Sequence, residues 1–429
     1  MKLLPNLLAV AVLAGLSAPA FAETEFDVIG GSEISFEGLL QADFNKYNAD
    51  VAQLGSTGGT TAGDGIDYDQ GMRRAELVFK GKGPGMWSWV VGYDARADKF
   101  LDVNVNYKFS GFTSLTVGQF KQPNSLEELS STKNNDFIAK AMTTNLQGLS
   151  RRVGVGITTG GDNWTLTGSA FTRELTRNLT AGNGFGARIA WAPINETGNI
   201  LHLGLSAVEF DARDGGNAVG TANFDRDGRA RFRVRPDSDL TGTRLIDSGQ
   251  FTDANKIRTL GAEAAWIHGP IKLQAEYMKS NISRDSNPDY GADSWYVSGV
   301  WNITGESWGW KTGTITTPLP NEPASGMWQL GLRYDKADLN DGNLVPVAGK
   351  PPQVVGVLGG KEDNITVGVN WYWRSNFKFS LNYVKVNSDR YITKTSATYS
   401  LDPALNSHTF NAVVDDSPNI LELRAQLYW

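Results

Sequence analysis

The sequence contains no cysteine and only three histidines. The first absence excludes disulfide scaffolds, thiol catalysis and Cys-ligated zinc or iron–sulfur centres. Nor does any uninterrupted apolar run reach the roughly 20 residues that a membrane-spanning helix requires. The chain also lacks an excess of positive charge: 40 Lys and Arg face 46 Asp and Glu, for a net charge of −6. Nucleic acid is therefore not an expected partner, and any anion-binding role must come from local clustering of cations. Against these absences stand 40% hydrophobic residues, 10% aromatics and 48 glycines, too apolar a mixture for a disordered chain.

Residues 1–22 read as a targeting segment. Met1-Lys2 is a short basic start, Leu3–Leu16 is apolar apart from Pro5 and Asn6, and Ala20-Phe21-Ala22 has the small-x-small pattern of a cleavage site. A secretory signal peptide cut after Ala22 is expected. A cysteine-free remainder suits an oxidising periplasm.

Beyond Glu23 the dominant signal is alternation with period two, broken by Gly, Asn, Asp or Pro. Ile34, Phe36, Leu40, Ala42 and Phe44 alternate with polar residues, as do Leu101, Val103, Val105, Tyr107 and Phe109, and Ile365, Val367, Val369, Trp371 and Trp373. About sixteen such runs occur, so an all-β fold is expected. The polar face carries charges that a dry sandwich core does not hold. Trp87, Trp89, Trp191, Trp266, Trp301 and Trp373 stand near run ends, where interfacial girdles sit. An even, large count closes a sheet without leaving an edge in lipid. The prediction is one domain over 23–429, a single transmembrane antiparallel β-barrel. The final run, Leu421 to Trp429, ends on an aromatic, as outer-membrane strands do.

Connections fall into two sorts. Trp191–Asn199, His268–Pro270 and Arg374–Asn376 read as short turns. Longer polar stretches, near 48–69, 121–150, 210–257, 304–325, 338–362 and 388–418, read as outer loops or as segments folded into a pore.

Two segments carry chemistry. In Asp225–Asp237, Arg229, Arg231, Arg233 and Arg235 occupy every second position, with Arg226 before them and Arg244 after. In extended backbone they share one face at a spacing of roughly 6.5–7 Å. Guanidinium forks stay charged and suit phosphate oxygens, and a row of similar shallow sites lets an anion step along. A solvated basic loop is the alternative. The second segment leaves a strand at Leu115 and opens the stretch near 121–150, where Lys121, Glu127, Glu128 and Lys133 are within reach of a lumen; an external loop of mixed charge is the alternative.

Enzymatic chemistry is not expected. His202, His268 and His408 show no grouping with a nucleophile and an orienting acid. No cofactor, nucleotide or metal site is read, and Asp335–Asp341 is expected to be a solvated acidic loop because it lacks EF-hand spacing.

Gly118-Gln-Phe-Lys-Gln-Pro123 with Leu126-Glu127, Met72-Arg-Arg-Ala75, Gly198-Asn-Ile-Leu-His-Leu-Gly204, the Arg-x-Arg-x-Arg run, Thr304-Gly-Glu306 and Val369-Asn-Trp-Tyr372, in this order, resemble the phosphate- and polyphosphate-selective porins of Gram-negative outer membranes. The resemblance implies a porin-type barrel of sixteen strands, a homotrimer among outer-membrane lipid and lipopolysaccharide, and passive uptake of phosphate, pyrophosphate or polyphosphate. It implies that Arg229, Arg231, Arg233 and Arg235, extended by Arg226 and Arg244, form an arginine ladder. Arg73 and Arg74 match a paired arginine near the constriction, and Asp102 a constriction acid. The chain departs from the pattern at Glu128, where a lysine is implied, and at Glu76, where a tyrosine is. These carboxylates oppose multiply charged anions and Lys121 offsets them, so a general or cation-leaning porin of the same fold stays open as the second reading.

Overall fold

The computed structural model describes residues 24–28, 32–52, 54–55, 67–176, 182–212, 228–392 and 412–429. The expected signal peptide and its cleavage site, together with Arg226 and His408, lie outside the described residues.

In chain order the strands are β1 (Thr24–Val28), β2 (Ser32–Asn48), β3 (Tyr68–Lys82), β4 (Trp87–Asp94), β5 (Lys99–Lys108), β6 (Ser114–Lys121), β7 (Arg151–Gly160), β8 (Trp164–Phe171), β9 (Gly184–Glu196) and β10 (Asn199–Asp211). They continue as β11 (Ala254–His268), β12 (Ile271–Arg284), β13 (Tyr290–Asn302), β14 (Gly309–Lys311), β15 (Thr314–Thr316), β16 (Met327–Val347), β17 (Lys350–Trp373), β18 (Phe377–Ile392), β19 (Ala412–Asp416) and β20 (Asn419–Tyr428). Sixteen of them, β2–β13, β16–β18 and β20, close an antiparallel ring. Closure is made by β2 against β20, with Leu40 opposite Leu427 and Asp43 opposite Arg424. β1 extends the ring at the base of β2, β19 extends it beside β18, and β14–β15 is a separate two-stranded sheet.

The wall is apolar outside and polar inside. Phe185 and Leu205 are 69% and 62% exposed, whereas Gln41, Asn364 and Arg333 are at most 1% exposed. Exposed apolar surface costs roughly 25 cal/mol per Å² in water, so a continuous band of it belongs in lipid. A bulge between Val91 and Tyr93 alters this alternation on β5. It leaves Phe100 outside and Leu101 buried, against the expectation that Leu101 shares the face of Val103 and Val105.

Aromatics gather where the short turns lie. Trp328, Trp371 and Trp373 stack with centroids 5.4 and 5.7 Å apart. The terminal Trp429 lies over Gly38, where a Cβ would fall 2.1 Å from the indole. Glycine there lets the last side chain cover the closing strand.

The start of β2, the C-terminus and most of the short turns define one end of the barrel, the turn end; most of the long connections define the other, the loop end. Three connections differ from expectation. The turn predicted over Trp191–Asn199 contracts to Thr197-Gly198, because Pro193 is accommodated within β9. The stretch 338–362 is not a loop: β16 and β17 are 21 and 24 residues long and pair almost to their tips. This also puts Asp335–Asp341 in a strand, with Asp335 buried beside Arg333. The stretch 304–325 joins β13 to β16 at the turn end, since Trp301 and Asn302 pair with Leu330 and Gln329 there. It carries β14–β15.

At the loop end, two apolar clusters form inside the ring. One joins Ala230, Phe232, Val234 and Phe251 to Ile257, Ile282, Tyr290 and Leu339 of the wall. The other joins Leu54 and Leu245 to Tyr47, Val384 and Ile420. Connections that start at the rim are thereby drawn into the lumen.

Candidate functional site

The arginine-bearing connection between β10 and β11 enters the lumen as an extended ribbon. Ala230 and Phe251 exchange backbone hydrogen bonds (3.3 and 2.8 Å), and the Phe232 carbonyl accepts from the Ser248 N–H at 2.9 Å. Alternation sorts its side chains. Ala230, Phe232 and Val234 are buried in the apolar cluster, whereas Arg229, Arg231 and Arg233 are exposed and Arg235 is half-buried. Aromatic contacts seat the buried side: Phe232 and Phe251 lie 6.2 and 4.9 Å from the Tyr290 ring.

Electrostatics on the cationic side are uneven. Arg231 makes a two-point pair with Asp247, its Nε donating at 2.8 Å. Burial, with Arg73 and Arg233 nearby, pushes Arg235 below the ordinary arginine range. Burial, with Arg235, Arg233 and Arg231, pushes Arg244 down to about 10, still cationic at neutral pH. Guanidiniums about 7 Å apart repel by roughly 0.6 kcal/mol in water and about 2.4 kcal/mol at an effective dielectric of 20. An arriving anion relieves that repulsion.

The ribbon leads to a narrow chamber. It is lined by Arg73, Arg74, Lys99, Lys121, Lys140, Arg151 and Arg424 against the carboxylates of Glu128 and Asp239. Arg73 lies 2.9 Å from Asp239, Arg74 2.8 Å from Glu76, and Arg151 2.8 Å from Asp102. Arg424 pairs with Asp43 at 2.6 Å and reaches Asp239 at 3.5 Å. Glu128 is paired with Lys140. Burial pushes the Glu128 carboxyl up, but Lys140 and Lys121 outweigh it and hold its pKa at about 2. Burial likewise raises Asp239, and Arg73 and Arg424 bring it well below the carboxylate range. Glu128, read as opposing anions, therefore stands ionised beside cations, and cations outnumber carboxylates around the chamber.

The chamber owes its shape to the connection between β6 and β7, which crosses the lumen and is gripped by its backbone. The Glu276 carboxylate on β12 accepts from the Leu126 and Glu127 N–H groups at 2.9 and 2.8 Å. Asp335 accepts from the Met142 N–H at 3.2 Å, Arg333 donates to the Ala139 carbonyl at 3.0 Å, and Arg424 donates to the Ile138 carbonyl at 2.7 Å. Lys121 does not point into open space; its Nζ donates to the carbonyls of Glu128 and Ser130, the latter at 2.9 Å. The Lys133 carbonyl accepts from the Gln426 Nε2–H at 2.8 Å.

The structure thus brings Arg73, Arg74, Lys121 and Glu128 to one chamber, with Glu76 and Asp102 paired to its cations, and sets Arg229, Arg231, Arg233, Arg235 and Arg244 on the connection leading to it. Lys99, Lys140, Arg151 and Arg424 were not singled out from the sequence, and Asp239 was read only as one of the carboxylates near the arginine row. Arg424 lies on the polar phase of its strand, but Arg151 shares the phase of the exposed Val155 and Ile157, so alternation alone turns it outward and only the fold brings it to the chamber. His268 stacks on Trp266 at 5.6 Å, and His202 is fully buried beside Glu263.

The fold has solved counterparts. The anion-selective porin from Comamonas acidovorans superposes with a TM-score of 0.52 at 12% identity, covering 93% of this chain and 100% of that one. The outer membrane channel DcaP of Acinetobacter baumannii gives 0.53 at 11% identity, covering 94% and 99%. In sequence the chain is 26% identical to Porin O of Pseudomonas aeruginosa over 89% of this chain and 93% of that protein. The model of the family described as "Phosphate-selective porin O and P" matches residues 37–429. The chain belongs to that family of Gram-negative outer-membrane porins.

Proposed function

We propose that this porin passes phosphate-type anions, phosphate, pyrophosphate or polyphosphate, by passive diffusion. On this reading they descend past Arg229, Arg231, Arg233, Arg244 and Arg235, a row that Arg226 extends in sequence, into the chamber of Arg73, Arg74, Lys140 and Arg151. The observation that carries the reading is the split ribbon: the apolar residues of 230–234 are buried against the wall and the arginines between them are exposed. Each arginine stays charged and offers a fork to phosphate oxygens, and closely spaced cations make each site shallow enough to leave. The short turns face the periplasm and the long connections the outside. The apolar exterior suits lipid and lipopolysaccharide, and three copies would assemble as the family resemblance implies.

A second reading keeps the barrel and weakens the selectivity. Arg73, Arg74, Arg151, Lys140 and Arg424 each have a carboxylate neighbour, which blunts their pull on a multiply charged anion. Reversal potentials of the purified protein in a KCl gradient separate the two. Anion preference, with chloride current reduced by millimolar phosphate or pyrophosphate, supports the first; cation preference discards it.

A further inference from the structure

One connection at the turn end differs in kind from its neighbours. Between β13 and β16 the chain sends the β14–β15 hairpin into the lumen. The hairpin pairs only with itself, Lys311 opposite Thr314, and shares no ladder with the wall. So short a two-stranded ribbon is not stable alone in water, and side-chain contacts must hold it.

Two sets of contacts do so. The first is a socket. Ile200, Ile267 and Val300 occupy inward positions of β10, β11 and β13, and they bury Trp308, with Trp310 and Ile315 at the margin. Alternation in a water-filled barrel calls for polar residues at those positions, and their apolar character answers to the hairpin. The second set is a polar latch from three adjacent strands. Trp310 Nε1–H donates to His202 Nδ1 at 2.9 Å. His202 Nε2 lies 2.9 Å from Glu263 Oε1. Arg188 Nε donates to the same carboxylate oxygen at 3.0 Å, and its Nη2 donates to the Gly313 carbonyl at 2.7 Å. An indole N–H only donates, so Nδ1 must accept and Nε2 carries the proton that Glu263 receives. Each partner's orientation fixes the next.

We propose that His202, Glu263 and Arg188 are positioning residues for solute passage: they dock β14–β15 as a lid over the turn-end mouth. The lid sets the aperture on that side, while β15 touches the Leu126–Leu129 segment of the β6–β7 connection that builds the chamber. The segment that follows the hairpin, with Pro318, Pro320 and Pro323, has no regular ladder of its own and gives the lid its slack.

Trp310→Phe keeps the ring and deletes the donor. In planar bilayers the full-length variant should conduct about twofold more than the wild type, since a wider mouth lowers series resistance. Larger neutral polyethylene glycols should then enter from the turn side, with the size cut-off from the loop side unchanged. Hydrogen exchange on the unmodified porin gives a second measure. Amides of Gly309–Thr316 should exchange much faster than those of β13 and β16, and about fivefold faster again in Trp310→Phe, the factor that loss of one ordinary hydrogen bond yields. Unchanged conductance and cut-offs in Trp310→Phe, a cut-off that rises equally from both sides, or a native hairpin as protected as β13 would each overturn the lid.

Discussion

The β6–β7 and β10–β11 connections enter this barrel from the loop end, and the stretches that matter in them are held in different ways. The β6–β7 connection is gripped through its backbone: Glu276, Asp335, Arg333 and Arg424 on the wall bind its N–H and C=O groups. Wall charges are spent on positioning it. The arginine-bearing stretch of the β10–β11 connection is seated through apolar side chains, Phe232, Val234 and Phe251 among them, while Asp237 and Asp239 further on pair with Arg333, Arg73 and Arg424 of the wall. Arg229, Arg231 and Arg233 on it are left exposed. One segment shapes the passage and the other supplies exposed charge, and the anchoring chemistry decides which does which.

The sharpest way to break the contrast is to release the first segment. Glu276→Ala leaves two buried N–H groups and the Tyr296 hydroxyl without their acceptor. At about 1–3 kcal/mol per orphaned group, single-channel currents should become noisy with several conductance levels, and thermal unfolding should come earlier. A single steady level equal to the wild type's would show that other anchors suffice.

Removing charge from the second segment comes next. Arg231→Ala with Arg233→Ala should lower the anion-to-cation permeability ratio several-fold and weaken the phosphate block, because two of the exposed cations vanish while the buried side stays seated. Reversal potentials read this directly.

Phe232→Ala sharpens the comparison by keeping every arginine. Truncating a buried phenylalanine costs about 3–5 kcal/mol, so the ribbon should loosen, and selectivity should fall in the same direction as in the double arginine variant but less far. Selectivity equal to the wild type's would separate charge from placement.

The smallest effect is expected at Glu128. Glu128→Gln frees Lys140 from its partner and should raise anion preference by less than about twofold, because it changes one of many charges that line the chamber. Because the Glu128 carboxyl is held at about 2, its charge is lost only as pH falls through that value. The difference between wild type and Glu128→Gln should therefore persist unaltered from pH 8 to pH 4, and a difference that disappears by pH 5 would contradict the pairing with Lys140.

Much of this was legible before any fold was known. Alternation at Ile365–Trp373 and Leu421–Trp429 marks strands that do line the ring, and the spacing of Arg229 to Arg235 matches the exposed phase of the ribbon. The stretch 338–362 misled because Asp338, Asn340, Asp341 and Asn343 resemble loop composition, although long-strand pairing between β16 and β17 overrides it. The bulge at Val91 and Tyr93 reversed Leu101, and no local signal announces a bulge. The inward hairpin was hidden because an apolar inward residue such as Ile267 looks like any other strand residue.

Local chemistry along the chain, namely period-two alternation, terminal aromatics and a row of arginines, determined by itself that the wall is a lipid-facing barrel and that one connection bears closely spaced cations. Those properties arise between residues a few positions apart, so they are written in order. Which charges meet was decided only by tertiary structure. Asp43 reaches Arg424, and Glu276 reaches Leu126, because the ring closes and the connections fold inward. Pairings between residues so distant in sequence depend on registers accumulated around the whole barrel, and no single segment carries that sum.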